Sequence, residues 1–101
     1  MSQSGFDWKG RRAGDPAHER LAAFLTMDIQ RSPVWARELA EKVAAVRAGE
    51  LASWERLGNV YRLFLSPEGA LLEDLVGPDS RPERVPLAEL EDAVRAWLDA
   101  R

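Results

Sequence analysis

The chain has 101 residues, 46% of them hydrophobic and 31% charged, which suits one hydrophobic core and is too little for two domains. It has no cysteine and one histidine, which excludes a disulfide framework and a thiolate metal site, and we expect no cofactor. No apolar run approaches the roughly 20 residues that span a bilayer and the first residues lack a signal peptide's apolar stretch, so we expect a cytoplasmic protein that does not contact membranes.

The net charge of -3 is unevenly distributed along the chain. Residues 66–101 hold four Lys or Arg against nine Asp or Glu, a net charge of -5. Such a surface repels nucleic acid and attracts a basic protein partner. The alternative interpretation is a solvated acidic face that keeps the domain soluble.

Residues 1–14 predict a flexible N-terminal arm, because they mix Ser and Gly with the basic Lys9, Arg11 and Arg12. We expect the core to begin after Asp15, with residues 15–101 forming a single domain. The basic residues could contact phosphates. The arm carries no nucleic-acid motif, however, so we treat weak nucleic-acid binding as a minor alternative.

The first helix is predicted from Asp15-Pro16, an N-cap acceptor followed by proline. Residues 21–29 that follow fit either a helix or a buried strand, and we favour the helix. His18 falls in the first turn, with neither a nucleophile nor a second histidine beside it. We therefore expect a surface histidine and no general base.

A second helix begins at Ser32-Pro33, where the same capping signal recurs. Gly49 is placed to end it. The predicted buried stripe of this helix recurs at helical spacing and consists of Trp35, Leu39, Val43 and Val46.

From Ala52 to Val76 the apolar period changes to two, which predicts a three-stranded antiparallel meander. Gly58-Asn59 indicates a two-residue hairpin turn, which places Glu55 opposite Arg62 and Trp54 opposite Leu63. Ser66-Pro67-Glu68-Gly69 indicates a type I turn. That second turn places Arg62 opposite Glu73, Phe64 opposite Leu71 and Leu65 opposite Ala70.

This pairing separates the sheet into two faces. One face should meet the helices and gathers Trp54, Tyr61, Leu63, Leu65 and Leu72. On the second face Arg62 lies between Glu55 and Glu73, an arrangement of opposite charges that stabilises a ladder. Val60, Phe64, Leu71 and Leu75 surround these charges. We expect either a helix or a partner to cover this second face.

Residues 77–82 form a polar linker, followed by a short extended piece at Arg84-Val85. Pro86 then opens the last helix. Its predicted buried stripe comprises Leu87, Leu90, Val94, Trp97 and Leu98, and its outward residues are Glu89, Glu91, Asp92 and Asp99. The fold class is therefore α+β, with the three-stranded meander packed against about three helices.

The sequence shows no pattern of catalytic or ligand-binding residues. Residues 10–14 lack the spacing of a phosphate-binding loop. Glu73 and Asp74 are adjacent on a strand, so their side chains point to opposite faces and cannot share a metal ion. The linker containing Asp79 lacks the ligand spacing of a calcium loop. We expect a protein that is not an enzyme.

The stretch Ser53-Trp54-Glu55-Arg56-Leu57-Gly58-Asn59-Val60-Tyr61, continuing through Ser66-Pro67-Glu68-Gly69 to Glu73, resembles small bacterial immunity proteins of contact-dependent growth inhibition systems. The resemblance covers about Asp28 to the C-terminus and is most specific at Gly58-Asn59-x-Tyr61. It implies a protein that binds and neutralises a toxin domain, often a basic nuclease. It assigns no contact residues.

The leading hypothesis is therefore a non-catalytic binding protein that occludes a basic toxin surface. The alternative is a small interaction or assembly module that self-associates through the second sheet face. Candidate partner-binding residues are the acidic Glu68, Glu73, Asp74, Asp79 and Glu83, together with Arg62 and Phe64.

Overall fold

The computed structural model describes residues 8–77 and 81–99. Three α-helices, α1 (Pro16–Phe24), α2 (Pro33–Arg47) and α3 (Leu87–Asp99), accompany four strands, β1 (Trp54–Leu57), β2 (Tyr61–Ser66), β3 (Gly69–Asp74) and β4 (Glu83–Val85). The strands form one open antiparallel sheet in the order β1-β2-β3-β4. The α+β class is confirmed, and the sheet has one more strand than predicted. Within these residues no helix is both long and apolar enough to span a bilayer.

Helix α1 begins where predicted, because the Asp15 side chain accepts the backbone N–H groups of Ala17 and His18. A π-helical turn, Leu25–Ile29, continues it, and the chain leaves the helix at Gln30 with φ of 57°. Residues 21–29 are thus helical rather than strand, and the helical interpretation is confirmed. The π turn brings Asp28 into the interior, where it is 4% exposed.

Helix α2 is capped by the Ser32 side chain, which accepts the N–H of Trp35. It ends before Gly49, whose φ of 79° favours glycine. Leu39, Val43 and Val46 are buried as predicted, but Trp35 is 45% exposed. Ala36 takes its place in the buried stripe. Trp35 instead packs its ring under the Arg56 guanidinium, at 5.2 Å from Cζ to the ring centroid.

The β2–β3 pairing follows the predicted register throughout, with Arg62 opposite Glu73 and Leu65 opposite Ala70. The turn that connects these strands is short and local, so its own sequence fixes the pairing. The predicted helix-side face is confirmed for Tyr61, Leu63, Leu65 and Leu72, all of which are buried.

The predicted β1–β2 register is wrong by two residues. Trp54 pairs with Leu65 and Glu55 with Phe64, and Gly58 donates its N–H to the Tyr61 carbonyl at 2.9 Å. The turn is therefore centred one residue later than expected. Because side chains alternate with a period of two, a shift of two leaves each residue of β1 and β2 on its predicted face. Val60, predicted on the second face, instead lies in the turn and packs against the core.

The Asp28 carboxylate explains where this turn forms. Its Oδ1 accepts the N–H of Val60 at 3.1 Å, and its Oδ2 accepts the N–H of Tyr61 at 2.8 Å. A Cβ added to Gly58 would lie 2.4 Å from Asp28 Oδ2. Gly58 is thus needed for a close approach, and a carboxylate distant in sequence positions the hairpin.

The short piece predicted at Arg84-Val85 is a paired strand. Ala70 faces Val85 and Leu71 faces Arg84, and Val85 is fully buried. The three-stranded meander is therefore corrected to four strands. Helix α3 then buries Leu87, Leu90 and Val94, as its spacing predicts.

Among the described residues the core begins at Trp8, whereas we expected it to begin after Asp15. Trp8 is 6% exposed and belongs to the main buried cluster, with its ring centroid 5.5 Å from that of His18. Arg11 forms an ion pair with Glu19 at 2.9 Å. Residues 8–14 thus pack against the domain, while residues 1–7 of the predicted arm lie outside the described residues.

A candidate protein-binding face

The helices pack against one side of the sheet, and within residues 8–77 and 81–99 no helix covers the other. Along β2 the residues alternate between buried Tyr61, Leu63 and Leu65 and the half-buried residues between them. We call the uncovered side the outer face. It is formed by Glu55, Leu57, Arg62, Phe64, Leu71, Glu73 and Arg84.

A row of charges crosses the outer face. Arg62 forms ion pairs with Glu55, its diagonal neighbour, and with Glu73, directly opposite, at 3.3 Å. Hydrogen bonds to Glu55 and then to Glu73 raise the pKa of the Arg62 guanidinium. The predicted ladder is present, although the shifted register makes its first contact diagonal. These exposed pairs orient the side chains and add little stability.

The apolar part of the outer face lies beside this row. Phe64 faces Leu71 across the β2–β3 ladder, and both are half-buried. With Arg62, Glu73 and Pro82 they line a shallow groove of about 230 Å³. Leu57, 72% exposed, extends the apolar surface at the β1 end. The outer face therefore combines an apolar centre with a charged margin.

Of the predicted partner-binding residues, the structure brings three together. Arg62, Phe64 and Glu73 share the outer face and line the same groove. Arg84, which sequence analysis did not single out, joins them at the far edge, where it donates to the Glu68 carbonyl at 3.2 Å. The periodicity of β4 would have revealed Arg84 had that strand been recognised as paired.

The other predicted partner-binding residues that the structure describes are dispersed. Glu68 is exposed in the β2–β3 turn, and Glu83 shares its register position with the helix-side Leu72. The Asp74 carboxylate accepts the backbone N–H groups of Val76 and Gly77, which fixes the turn after β3. Asp79 lies outside the described residues. Glu68, Asp74 and Glu83 do not form one patch with Glu73.

The acidic residues of α3 are partly neutralised within the domain. Glu91, predicted to project outward, is 8% exposed and pairs with Arg47 and Arg95. Burial opposes the charged form of Glu91, but hydrogen bonds from Arg95 and Arg47 lower its pKa. The net charge of the C-terminal third therefore overstates the acidity of its surface.

His18 is fully buried, so the prediction of a surface histidine is wrong. Its Nδ1 accepts the N–H of Arg12 at 2.9 Å, and its Nε2 lies 2.7 Å from Glu89 Oε1. Because Nδ1 is an acceptor, the ring proton lies on Nε2 and is donated to Glu89. Both ring nitrogens are therefore engaged in structure. The spacing His18, Leu21, Ala22, Leu25 already places this histidine on the buried stripe.

The described ranges, 8–77 and 81–99, contain no group of three or more His, Cys, Asp or Glu residues able to hold a metal ion. The outer face carries side chains suited to docking and none with an activated nucleophile. Comparison of the chain with family models, curated proteins and solved structures finds no match.

Proposed function

We propose that this protein is a non-catalytic binding protein that acts in the cytoplasm as an immunity protein and neutralises a toxin domain by direct binding. The observation that carries the proposal is the outer face. Its half-buried Phe64 and Leu71 lie beside a row of charges, and no described helix covers them. Occlusion by such a face needs no reacting group.

The composition of the outer face fits a protein partner. Protein interfaces place apolar and aromatic anchors at the centre and charged groups at the margin. Phe64 supplies the anchor, while Glu55, Arg62 and Glu73 supply charges of both signs. Such charges select a partner with the complementary pattern more than they add affinity. The proposal therefore rests on the outer face and no longer on the acidic C-terminal third.

Nucleic-acid binding through Lys9, Arg11 and Arg12 is not part of the proposal. Arg11 pairs with Glu19, and Arg12 pairs with Asp15. A phosphate would have to compete with these internal carboxylates. Binding that weakens steeply with salt would argue for this alternative.

The test is binding to the C-terminal domain of the protein encoded by the gene immediately upstream, measured by calorimetry and by protection of cells that express that domain. Phe64→Ala should weaken binding at least about tenfold, the loss typical of an anchor residue. Val34→Ala is the matched control, because Val34 is 69% exposed on α2, away from the outer face. Absence of both binding and protection in the wild-type chain would overturn the proposal.

The second candidate is a self-associating module that uses the same outer face. The outer face carries both Arg62 and Glu73, which favours this candidate. Two copies related by a twofold axis can place Arg62 of each copy opposite Glu73 of the other. Light scattering distinguishes the candidates. A dimer that Phe64→Ala dissociates would support self-association, and a monomer at high concentration would exclude it.

A further inference from the structure

Strand β1 is an open edge of the sheet. It is the first strand in the order β1-β2-β3-β4, and among the described strands it pairs with β2 alone. Hydrogen-bonded and non-bonded pairs alternate along an antiparallel ladder. Because Gly58 donates to Tyr61, the pairs at Leu57 and Glu55 are the non-bonded ones. The backbone N–H and C=O groups of Glu55 and Leu57 therefore point away from β2, toward the edge.

The opposite edge is less suited to further pairing. Strand β4 has three residues, and it lies between Pro82 and Pro86. Proline lacks an N–H group and blocks the approach of another strand. The four residues of β1 include no proline. Of the two edges, β1 is thus the one able to accept a strand.

The charges on β1 disfavour a second copy of this chain as that strand. Two antiparallel β1 strands centred on residue 56 set Arg56 against Arg56, and a pairing centred on residue 55 sets Glu55 against Glu55. Like charges directly opposite destabilise a ladder. Centring the pair on Leu57 draws Gly58 and Asn59 into the ladder, although both belong to the turn.

The charges of Arg56 and Glu55 also restrict which residues an added strand can place opposite β1. Arg56 forms no ion pair with a described residue, and its Nη1 is buried without a hydrogen-bond partner among them. Its guanidinium lies over the Trp35 ring. Glu55, in contrast, projects from the outer face beside Arg62. A foreign strand is compatible with β1 when it sets neither a basic residue against Arg56 nor an acidic residue against Glu55.

We infer that the β1 edge binds an extended segment of the partner protein, which adds to the sheet as a fifth strand and is held by the backbone groups of Glu55 and Leu57. The inference rests on the proposed function, whose partner supplies the strand. Strand addition places that partner next to the outer face, so one protein can engage both surfaces.

Substitution of proline at position 57 tests the edge selectively. The Leu57 N–H points away from β2, so Leu57→Pro removes an edge donor and leaves the β1–β2 bonds in place. Leu57→Ala is the matched control, since it shortens the same side chain and keeps the N–H. Against the C-terminal domain of the upstream gene product, Leu57→Pro should bind at least about tenfold more weakly than Leu57→Ala. Equal affinities would overturn the inference.

Hydrogen exchange of the wild-type complex provides a second measurement that does not depend on the proline variant folding. The amides of Glu55 and Leu57 should exchange at least about tenfold more slowly in the complex, while those of β4 stay unchanged. Unaltered exchange at both residues would overturn the inference. If the wild-type chain binds but the edge tests fail, the proposed function stands alone. If the wild-type chain does not bind, the proposed function and the inference about the β1 edge are both overturned.

Discussion

The Asp28 carboxylate accepts the backbone N–H of Tyr61 at 2.8 Å across 33 residues of chain. It lies at the end of a helical segment and holds the first hairpin of the sheet in register. A second bond to the N–H of Val60 completes the arrangement. This contact connects the helical and strand halves of the fold.

Asp28→Ala should lower the free energy of unfolding by about 2 to 3 kcal/mol, because it leaves two backbone donors without their charged acceptor. Asp28→Asn keeps one oxygen acceptor and should cost less. Urea unfolding followed by circular dichroism measures both values. Equal losses for Asn and Ala would show that the carboxylate does not act through these bonds.

Gly58→Ala should destabilise the protein by about 1 to 3 kcal/mol, because its Cβ would lie 2.4 Å from Asp28 Oδ2 and 2.7 Å from Arg56 Nη1. Gly10→Ala is the matched control, since its Cβ would meet its nearest atoms, in Trp8, at an ordinary 3.9 Å. In a double-mutant cycle, the cost of Gly58→Ala should shrink when Asp28 is already alanine. An unchanged cost would contradict the close approach.

Trp35→Ala should cost about 1 kcal/mol, the scale of a partly exposed cation–π contact. Leu39→Ala, one turn further along α2, should cost about 2 to 5 kcal/mol because Leu39 is fully buried. The two variants distinguish the observed stripe from one that begins at Trp35. Similar losses in the free energy of unfolding for the two variants would indicate that Trp35 belongs to the buried stripe, as the sequence predicted.

Trp8→Ala should lower the free energy of unfolding by about 3 kcal/mol, since it empties a buried site against His18. Lys9→Ala, at the exposed neighbouring residue, should change it by less than about 0.5 kcal/mol. The midpoint of thermal unfolding is measured for both variants. Equal midpoints for the two variants would mean that residues 8–14 do not contribute to the core.

Acid should weaken the fold partly through Glu89. The hydrogen bond from His18, and then that from Arg12, hold the pKa of this carboxyl below its ordinary value of 4.5. A depressed carboxyl pKa contributes stability that is present above the unfolded pKa and is lost as pH falls through the folded pKa. In urea unfolding at successive pH values below about 5, Glu89→Gln should therefore lose less stability than the wild-type chain. If the free energy of unfolding fell equally with pH in the variant and the wild-type chain, groups other than Glu89 would account for the acid sensitivity.

Local sequence signals predicted those parts of the fold that depend on neighbouring residues. The caps at Asp15 and Ser32 and the turn at residues 66–69 each act within a few positions, and all three are where we expected them. The β1–β2 register was not predictable in this way. It depends on Asp28, and nothing near Gly58 in the sequence reveals that carboxylate.

Strand alternation predicted which residues share the candidate site, whereas the distribution of charge along the chain did not. Alternation placed Arg62, Phe64 and Glu73 together, and a register error of two could not separate them. The number of acidic residues in the C-terminal third did not predict an acidic binding surface, because it does not show which of them form ion pairs or hydrogen bonds within the domain. Glu91 lies between two arginines, and Asp74 bonds its own turn.

The prolines on either side of β4 also limit assembly. A sheet open at both edges can grow by strand addition at each, whereas Pro82 and Pro86 disfavour addition at the β4 end of this one. Through its edges the chain can therefore recruit a single additional strand. The expected stoichiometry of an edge-bound complex is one to one, whatever the concentration.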